Sequence, residues 1–268
     1  MVLKSSIQDQ LNQQTSHIYE KTMRALIKST IVLGLAFISG AYAQPFNSGS
    51  AVFQNITITG DPAVNSDIVH PRVFNDYPWA TLNTVNNYPS LVSFSESGVV
   101  GPSGFANRDD WNFSSDGGLT DHLFNNNEYW SISALVTLTG NPTTPRKEAG
   151  LRLDSSVGGD GLFILDTDAH EIVAFGGPFP FYSFGNTFNS GDSVLMGITY
   201  ENIGGTNGIV YSANGVDSPF LPMSNLEQGV IDGSTLGGYF QIAGLVPEPS
   251  AFALLGLGSV ALLLRRRG

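Results

Sequence analysis

Apolar and polar residues alternate along short stretches of the chain, and this is the pattern of half-buried β-strands. In residues 130–139 the apolar positions start at Trp130 and recur at every second residue, while Ser and Thr occupy the positions between them. Gly- and Asn-rich turn signals separate this stretch from similar ones. The predicted strands are 51–59, 68–74, 91–95, 130–139, 149–153, 161–165, 171–175, 179–184, 193–200, 208–212 and 236–243. About eleven short strands predict an all-β fold, an antiparallel β-sandwich of the jelly-roll kind, over residues 44–246.

The N-terminal region has the three parts of a secretory signal peptide. Basic residues at 24 and 28 precede the apolar stretch 30–38, and Ala41-Tyr-Ala43 follows it. A basic segment, a short apolar segment and an A-x-A ending predict cleavage by signal peptidase after Ala43. Residues 1–43 are therefore assigned to a signal helix, with Met23 as the expected true start.

The C-terminal region predicts a short membrane anchor. Pro247-Glu248-Pro249 precedes the apolar residues 251–264, and Arg265, Arg266 and Arg267 follow. A helix of 14 residues reaches about 21 Å, which is less than the roughly 30 Å of a bilayer core. The Arg cluster belongs on the cytoplasmic side, which places the rest of the chain outside.

This C-terminal segment, residues 247–268, resembles a PEP-CTERM sorting signal. Its three parts stand in the order of that family: the Pro-Glu-Pro motif, an apolar helix and a terminal Arg cluster. The resemblance implies export from a Gram-negative bacterium that makes exopolysaccharide, and transient anchoring in the inner membrane. It also implies an exosortase that removes the tail and delivery to the cell surface or extracellular matrix.

Composition excludes several classes of function. The chain has a net charge of −11 and no cysteine, so disulfides and Cys-ligated metals are excluded. Residues 44–246 hold five Lys and Arg against 20 Asp and Glu. Because phosphate binding relies on cations, nucleic acid is not an expected partner.

The stretch 130–213 resembles a concanavalin A-like sandwich. The resemblance rests on the strand led by Trp130, the segment 148–153, the hairpin around Asp166, and Gly191-Asp192 before the next strand. Many such domains bind glycans, so the resemblance implies carbohydrate as a ligand, although a fold alone does not establish a function.

One acidic segment could supply catalytic groups. Asp166, Asp168 and Glu171 have a spacing similar to that of concanavalin-like glycosidases, in which two carboxylates on one face act as nucleophile and acid. The first acid is Asp where that family has Glu, and the segment fits a hairpin loop better than a strand. We therefore predict a hairpin and no enzyme activity, with a concanavalin-like glycoside hydrolase or lyase as the alternative.

Calcium is the cofactor that the sequence allows. The stretch 107–121 is rich in the carboxylate and amide oxygens that Ca²⁺ prefers. Its candidate ligands are Asp109, Asp110, Asn112, Asp116 and Asp121. A plain solvated acidic loop is the alternative.

Sugar binding would use exposed aromatic rings beside amide side chains. Trp79 and Trp111 lie in polar, turn-rich sequence, and Asn125, Asn126 and Asn127 could lie at a loop tip. Burial of both Trp side chains is the alternative, and Trp130 is expected in the core. These residues favour a non-catalytic surface or matrix protein that binds exopolysaccharide. A structural or adhesive protein without a small ligand is a further alternative.

Overall fold

Fifteen β-strands make up most of the regular structure that a computed structural model describes. The described residues are 47–60, 65–67 (backbone only), 80–98, 106–141, 143–223 and 231–243. The strands of the first half of the chain are β1 (Ser48–Gly60), β2 (Asn65–Asp67), β3 (Thr81–Asn87), β4 (Leu91–Ser97), β5 (Ala106–Ser114), β6 (Trp130–Asn141) and β7 (Lys147–Ser155). Those of the second half are β8 (Gly159–Asp166), β9 (Ile172–Phe175), β10 (Tyr182–Gly185), β11 (Ser193–Ile203), β12 (Thr206–Ala213), β13 (Val216–Asp217), β14 (Leu221–Pro222) and β15 (Thr235–Ala243).

The strands form two antiparallel sheets, which confirms the predicted sandwich. The eight-stranded sheet has the order β13-β12-β11-β6-β1-β4-β3, and β14 pairs with β12 beside this path. The seven-stranded sheet has the order β10-β9-β8-β7-β15-β5-β2. Neighbours distant in sequence, such as β7 and β15, lie side by side, so the charged residues of separate strands come together on one sheet.

The core lies between the two sheets and is rich in aromatic rings. Trp111 packs edge-to-face against Phe53 at 5.7 Å and against Phe113 at 5.3 Å between ring centroids. Trp130 packs near Tyr200 at 5.8 Å. Large rings contribute strongly to such a core because each removes a large apolar area from water. The alternation predicted for 130–139 is therefore the alternation of core and outer faces in β6.

Most predicted strands are present, and the differences have local causes. The segment 179–184 enters regular pairing only at Tyr182, because Phe179 lies in the preceding turn and is buried there. The prediction that 107–121 is one acidic loop is wrong in its first half, which forms β5. The predicted strand 68–74 lies outside the described residues, as do both termini, so the predicted domain boundaries stay predictions. In the part of the chain that is described, no helix has the length and apolar character needed to cross a membrane.

Candidate functional site

The acidic segment Asp166–Glu171 forms the hairpin that the sequence predicts. Asp166 ends β8, and its Oδ1 accepts hydrogen bonds from the backbone amides of Asp168 at 2.8 Å and Ala169 at 3.2 Å. The backbone amide of Asp166 donates to the carbonyl of Glu171 at 3.1 Å and closes the turn. The three acids are therefore distributed along a tight turn and do not share one strand face.

Asp166 instead belongs to a cluster built around one arginine. It lies directly opposite Glu148 in the pairing of β7 and β8. The Nε of Arg146 lies 2.7 Å from Asp166 Oδ2 and also pairs with Glu148. Burial, together with the side-chain hydrogen bond to Asp168, raises the pKa of Asp166 to about 6. Tyr239, whose pKa burial raises well above its usual range, donates its hydroxyl proton to Glu148.

A second charged cluster lies on the same outer face of the seven-stranded sheet, around Arg152. The guanidinium of Arg152 reaches Asp160 Oδ1 at 2.9 Å, Asp154 Oδ2 at 2.8 Å and Asp110 Oδ2 at 3.4 Å. Arg108 pairs with Asp160 from β5. Burial alone would raise the pKa of Asp160, but Arg152 and Arg108 outweigh it and the pKa is lowered.

Asp110 shows the opposite balance within this cluster. The side chain of Asp110 is almost completely buried. This burial raises the pKa of Asp110 to about 6, despite the attraction of Arg152 and Arg108. Ion pairs of the two clusters join strands β5, β7 and β8 on this face of the sheet, and most of the side chains involved are buried. Sequence reasoning missed Arg108, Arg152 and Tyr239, although the charged positions that alternate with apolar ones in residues 148–153 gave a signal.

The five predicted calcium ligands do not come together as one set. Asp109 pairs with Phe240 and faces the core, whereas Asp110 pairs with Tyr239 and faces outward, because successive strand residues point to opposite faces. Asp116 accepts hydrogen bonds from the amides of Leu119 and Thr120 at 2.9 Å, and Asn112 donates to Asp121 at 3.1 Å. No group of three or more His, Asp or Glu side chains among the described residues could hold a metal ion. These residues do not fit a calcium centre.

The expectation that Trp111 is an exposed sugar platform is wrong. Its side chain is 0% exposed and packs in the core between the two sheets. The polar residues around it in sequence misled the prediction: Asp110 and Asn112 face outward from β5, whereas Asp109 is a buried acid on the same core face as Trp111. Trp130 is in the core as predicted. Trp79 lies outside the described residues.

Asn125, Asn126 and Asn127 form a loop before β6, as predicted, and a tyrosine follows them. Asn125 and Asn127 are exposed, and Tyr129 is 38% exposed. The ring of Tyr129 packs on Tyr200 at 5.5 Å between centroids. We call this set, with Asn207, the Tyr129 corner.

Hydrogen bonds fix the rings of the Tyr129 corner. The Tyr129 hydroxyl donates to Asn207 Oδ1 at 3.2 Å, and Asn207 Nδ2 donates to the Tyr200 hydroxyl at 2.8 Å. Tyr200 in turn donates to the carbonyl of Asn126 at 2.9 Å. Burial raises the pKa of Tyr200 to about 12, so this hydroxyl keeps its proton. The corner thus presents a pre-oriented aromatic ring beside exposed amides. Sequence reasoning missed Tyr129, although it stands two residues after Asn127.

The comparison with known families identifies the C-terminal segment. Residues 245–267 match the PEP-CTERM protein-sorting motif, which confirms the resemblance seen at Pro247-Glu248-Pro249 and the Arg cluster. No curated protein and no solved structure matches the chain. The concanavalin-like resemblance and the cleavage site at Ala41-Tyr-Ala43 stay predictions. The chain carries a PEP-CTERM sorting motif, which implies processing by an exosortase and supports a secreted protein sorted to the cell surface.

Proposed function

We propose that this protein is a non-catalytic component of the cell surface or extracellular matrix that binds exopolysaccharide through the Tyr129 corner. The observation that carries the proposal is the partly exposed ring of Tyr129, held by Asn207 and Tyr200 beside exposed Asn125 and Asn127. Tyrosine supplies a rigid contact area with a polar end. Such a ring can pack against the C–H face of a sugar while the amides bond its hydroxyls.

The charges of the domain favour a neutral polysaccharide, or an uncharged segment of a polysaccharide, as the ligand. Each cation of the described residues is already engaged. Arg108, Arg146 and Arg152 pair with acids, and Lys147 Nζ donates to the carbonyl of Pro145 at 2.7 Å. Since the whole chain carries −11, an anionic polymer would meet repulsion without a compensating cation.

The arrangement of the buried acids supports a non-catalytic role. Glycoside hydrolysis needs one carboxylic acid and one carboxylate open to the sugar on either side of the scissile bond. Here Asp166 and Glu148 are both buried, and Arg146 pairs with both of them. Glu148 also accepts a hydrogen bond from the Tyr239 hydroxyl, so Asp166 and Glu148 hold strands β7, β8 and β15 together.

The sorting motif supports a location outside the cell for the proposed binding. We propose that the producer is a Gram-negative bacterium, that the C-terminal segment anchors the chain in the inner membrane before processing, and that the released protein joins the exopolysaccharide matrix.

Retention on polysaccharide tests the proposal. The purified full-length chain is passed over immobilised extracellular polysaccharide of the producing bacterium, beside Tyr129→Ala. The matched control is Phe181→Ala, which removes an aromatic side chain that is 70% exposed elsewhere. The proposal predicts retention of the wild type and of Phe181→Ala and loss of Tyr129→Ala. Equal retention of all three proteins would place the site elsewhere.

A further inference from the structure

The outer face of the eight-stranded sheet carries many hydroxyl groups. Hydroxyl pairs cross its strands: Thr57 with Ser133 at 2.7 Å, Ser131 with Thr199 at 2.9 Å, and Thr137 with Ser193 at 2.6 Å. No Lys or Arg occurs in the described strands of this sheet. The face therefore offers many hydroxyl groups for hydrogen bonding, although Glu201 and Asp217 add two carboxylates.

Several strand glycines of this protein lie beneath aromatic rings. A Cβ built on Gly161 would come within 3.0 Å of the ring of Phe179. The same holds for Gly208 beneath Phe220 and for Gly238 beneath Trp111. In each case the glycine has no side chain, so an aromatic ring of the same chain packs directly on the backbone of the strand. We call such a backbone surface a glycine seat.

Gly197 provides such a seat on the outer face, with space above it. It lies within β11 in regular register, between Ser133 of β6 and Ser212 of β12. The three atoms nearest to a Cβ built there are Ile132 O and Ser212 Cβ at 3.5 Å and Ser133 Cβ at 3.8 Å, and these are ordinary contacts. The fold thus does not require glycine at this position, and none of the described residues places a ring on it. A glycine inside a strand often marks the close approach of a ligand.

A shallow groove surrounds this seat. It has a volume of about 290 Å³ and is lined by residues of β6, β11, β12 and β13. Ser131, Ser133, Thr199 and Ser212 supply its hydroxyls, Leu195 and Val210 supply apolar surface, and Asp217 supplies a carboxylate at the β13 side. Pockets for small ligands are about 300–1,000 Å³, so the groove suits a small unit of a longer polymer.

From this geometry we infer that the groove over Gly197 is a second glycan-binding site, which seats a pyranose ring of a neutral polysaccharide. The apolar face of the sugar lies on Gly197 between Leu195 and Val210, and its hydroxyls bond the surrounding Ser and Thr side chains. The inference rests on the proposed function and adds a contact surface separate from the Tyr129 corner. A polymer that occupies both sites gains avidity without requiring a strong single site.

The test fills the groove and leaves the fold intact. Gly197→Val adds a side chain at a position with ordinary clearance, and Val favours strands. Ser95→Val, an exposed position of β4 in the same sheet, is the matched control. The probes are soluble mixed-linkage β-glucan and dextran, both neutral, with alginate as an anionic polymer. Affinity electrophoresis of the full-length chain reports the dissociation constants.

The expected result is that wild type and Ser95→Val bind a neutral probe with equal affinity. The dissociation constant of Gly197→Val should be at least about tenfold higher, which corresponds to the loss of roughly one close contact. If Gly197→Val does not fold, Ser212→Leu is used instead, because Ser212 also lines the groove and a larger side chain there would fill it. Wild-type affinity in a folded groove variant overturns the inference, and loss in Tyr129→Ala alone leaves the proposed function standing. Failure of the wild type to bind either neutral probe overturns the inference, while retention on the producer's own polysaccharide separately decides the proposed function. A change of oligomeric state in Gly197→Val would assign the groove to a second copy of the chain and also overturn the inference.

Discussion

The carboxylate of Asp110 lies 3.4 Å from the guanidinium of Arg152, yet neither of its oxygens accepts a hydrogen bond from the described residues. Arg152 directs its better contacts to Asp154 and Asp160, at 2.8 and 2.9 Å. Asp110 is thus a buried acid beside a cation that is already satisfied. Removing such a charge can stabilise a protein, since burial of an ion costs more than a distant partner returns.

Asp110→Asn should stabilise the protein at pH 8 by about 1–2 kcal/mol, because the variant removes the cost of keeping a charged carboxylate buried. Burial raises the pKa of Asp110 from 3.8 to about 6. The folded state therefore binds its proton more tightly, and the stability from this group falls as pH rises between about 4 and 6. Urea unfolding of both proteins at pH 4 and pH 8 measures the effect. Destabilisation at pH 8 would show that attraction to Arg152 outweighs burial.

Trp111→Ala should destabilise the domain by about 3–5 kcal/mol, because it removes a large ring from the core. Chemical unfolding gives the difference in free energy. At a temperature where the variant remains folded, its affinity for polysaccharide should equal that of the wild type. A binding defect without a stability defect would contradict the core position of Trp111.

No cleavage of polysaccharide should accompany binding. Prolonged incubation of the wild type with the producer's polysaccharide is followed by assays for new reducing ends and for unsaturated products. Glu148→Gln and Asp166→Asn serve as companion variants. Product formation that is lost in a folded variant of either acid would refute the non-catalytic role.

Replacing Pro247, Glu248 and Pro249 by Ala should block processing of the C-terminal segment. The variant should stay in the membrane fraction of the producing cell, while the wild type reaches the surface and medium. Glu227→Ala, an acidic change outside the matched residues 245–267, is the control. Equal surface amounts of all three proteins would mean that sorting does not depend on this motif.

Local alternation predicted the sandwich correctly because strands such as β6 face the core on one side and solvent on the other. It failed for β5, in which both faces carry polar residues. Arg108 and Asp110 are tolerated there because Asp160 and Arg152 come from other strands, about 50 and 40 residues further along the chain. Such long-range ion pairs leave no local signal.

The Tyr129 corner was predicted only in part, because some of its contacts also come from distant parts of the chain. The exposed amides at Asn125 and Asn127 follow from local composition. The orientation of Tyr129 depends on Tyr200 and Asn207, which a separate hairpin supplies. For Trp111 the local composition gave a wrong prediction: its polar neighbours in sequence suggested an exposed position, but the ring lies in the core.

Co-sedimentation of the full-length protein with the producer's own extracellular polysaccharide tests the central claim most directly. It is carried out at low and high NaCl concentration, and each is repeated with a calcium chelator. Stacking and neutral hydrogen bonds at the Tyr129 corner predict binding that persists in high salt and with chelator and is lost in Tyr129→Ala. Absence of wild-type binding under all conditions would contradict the account and favour a structural surface protein whose partners are proteins.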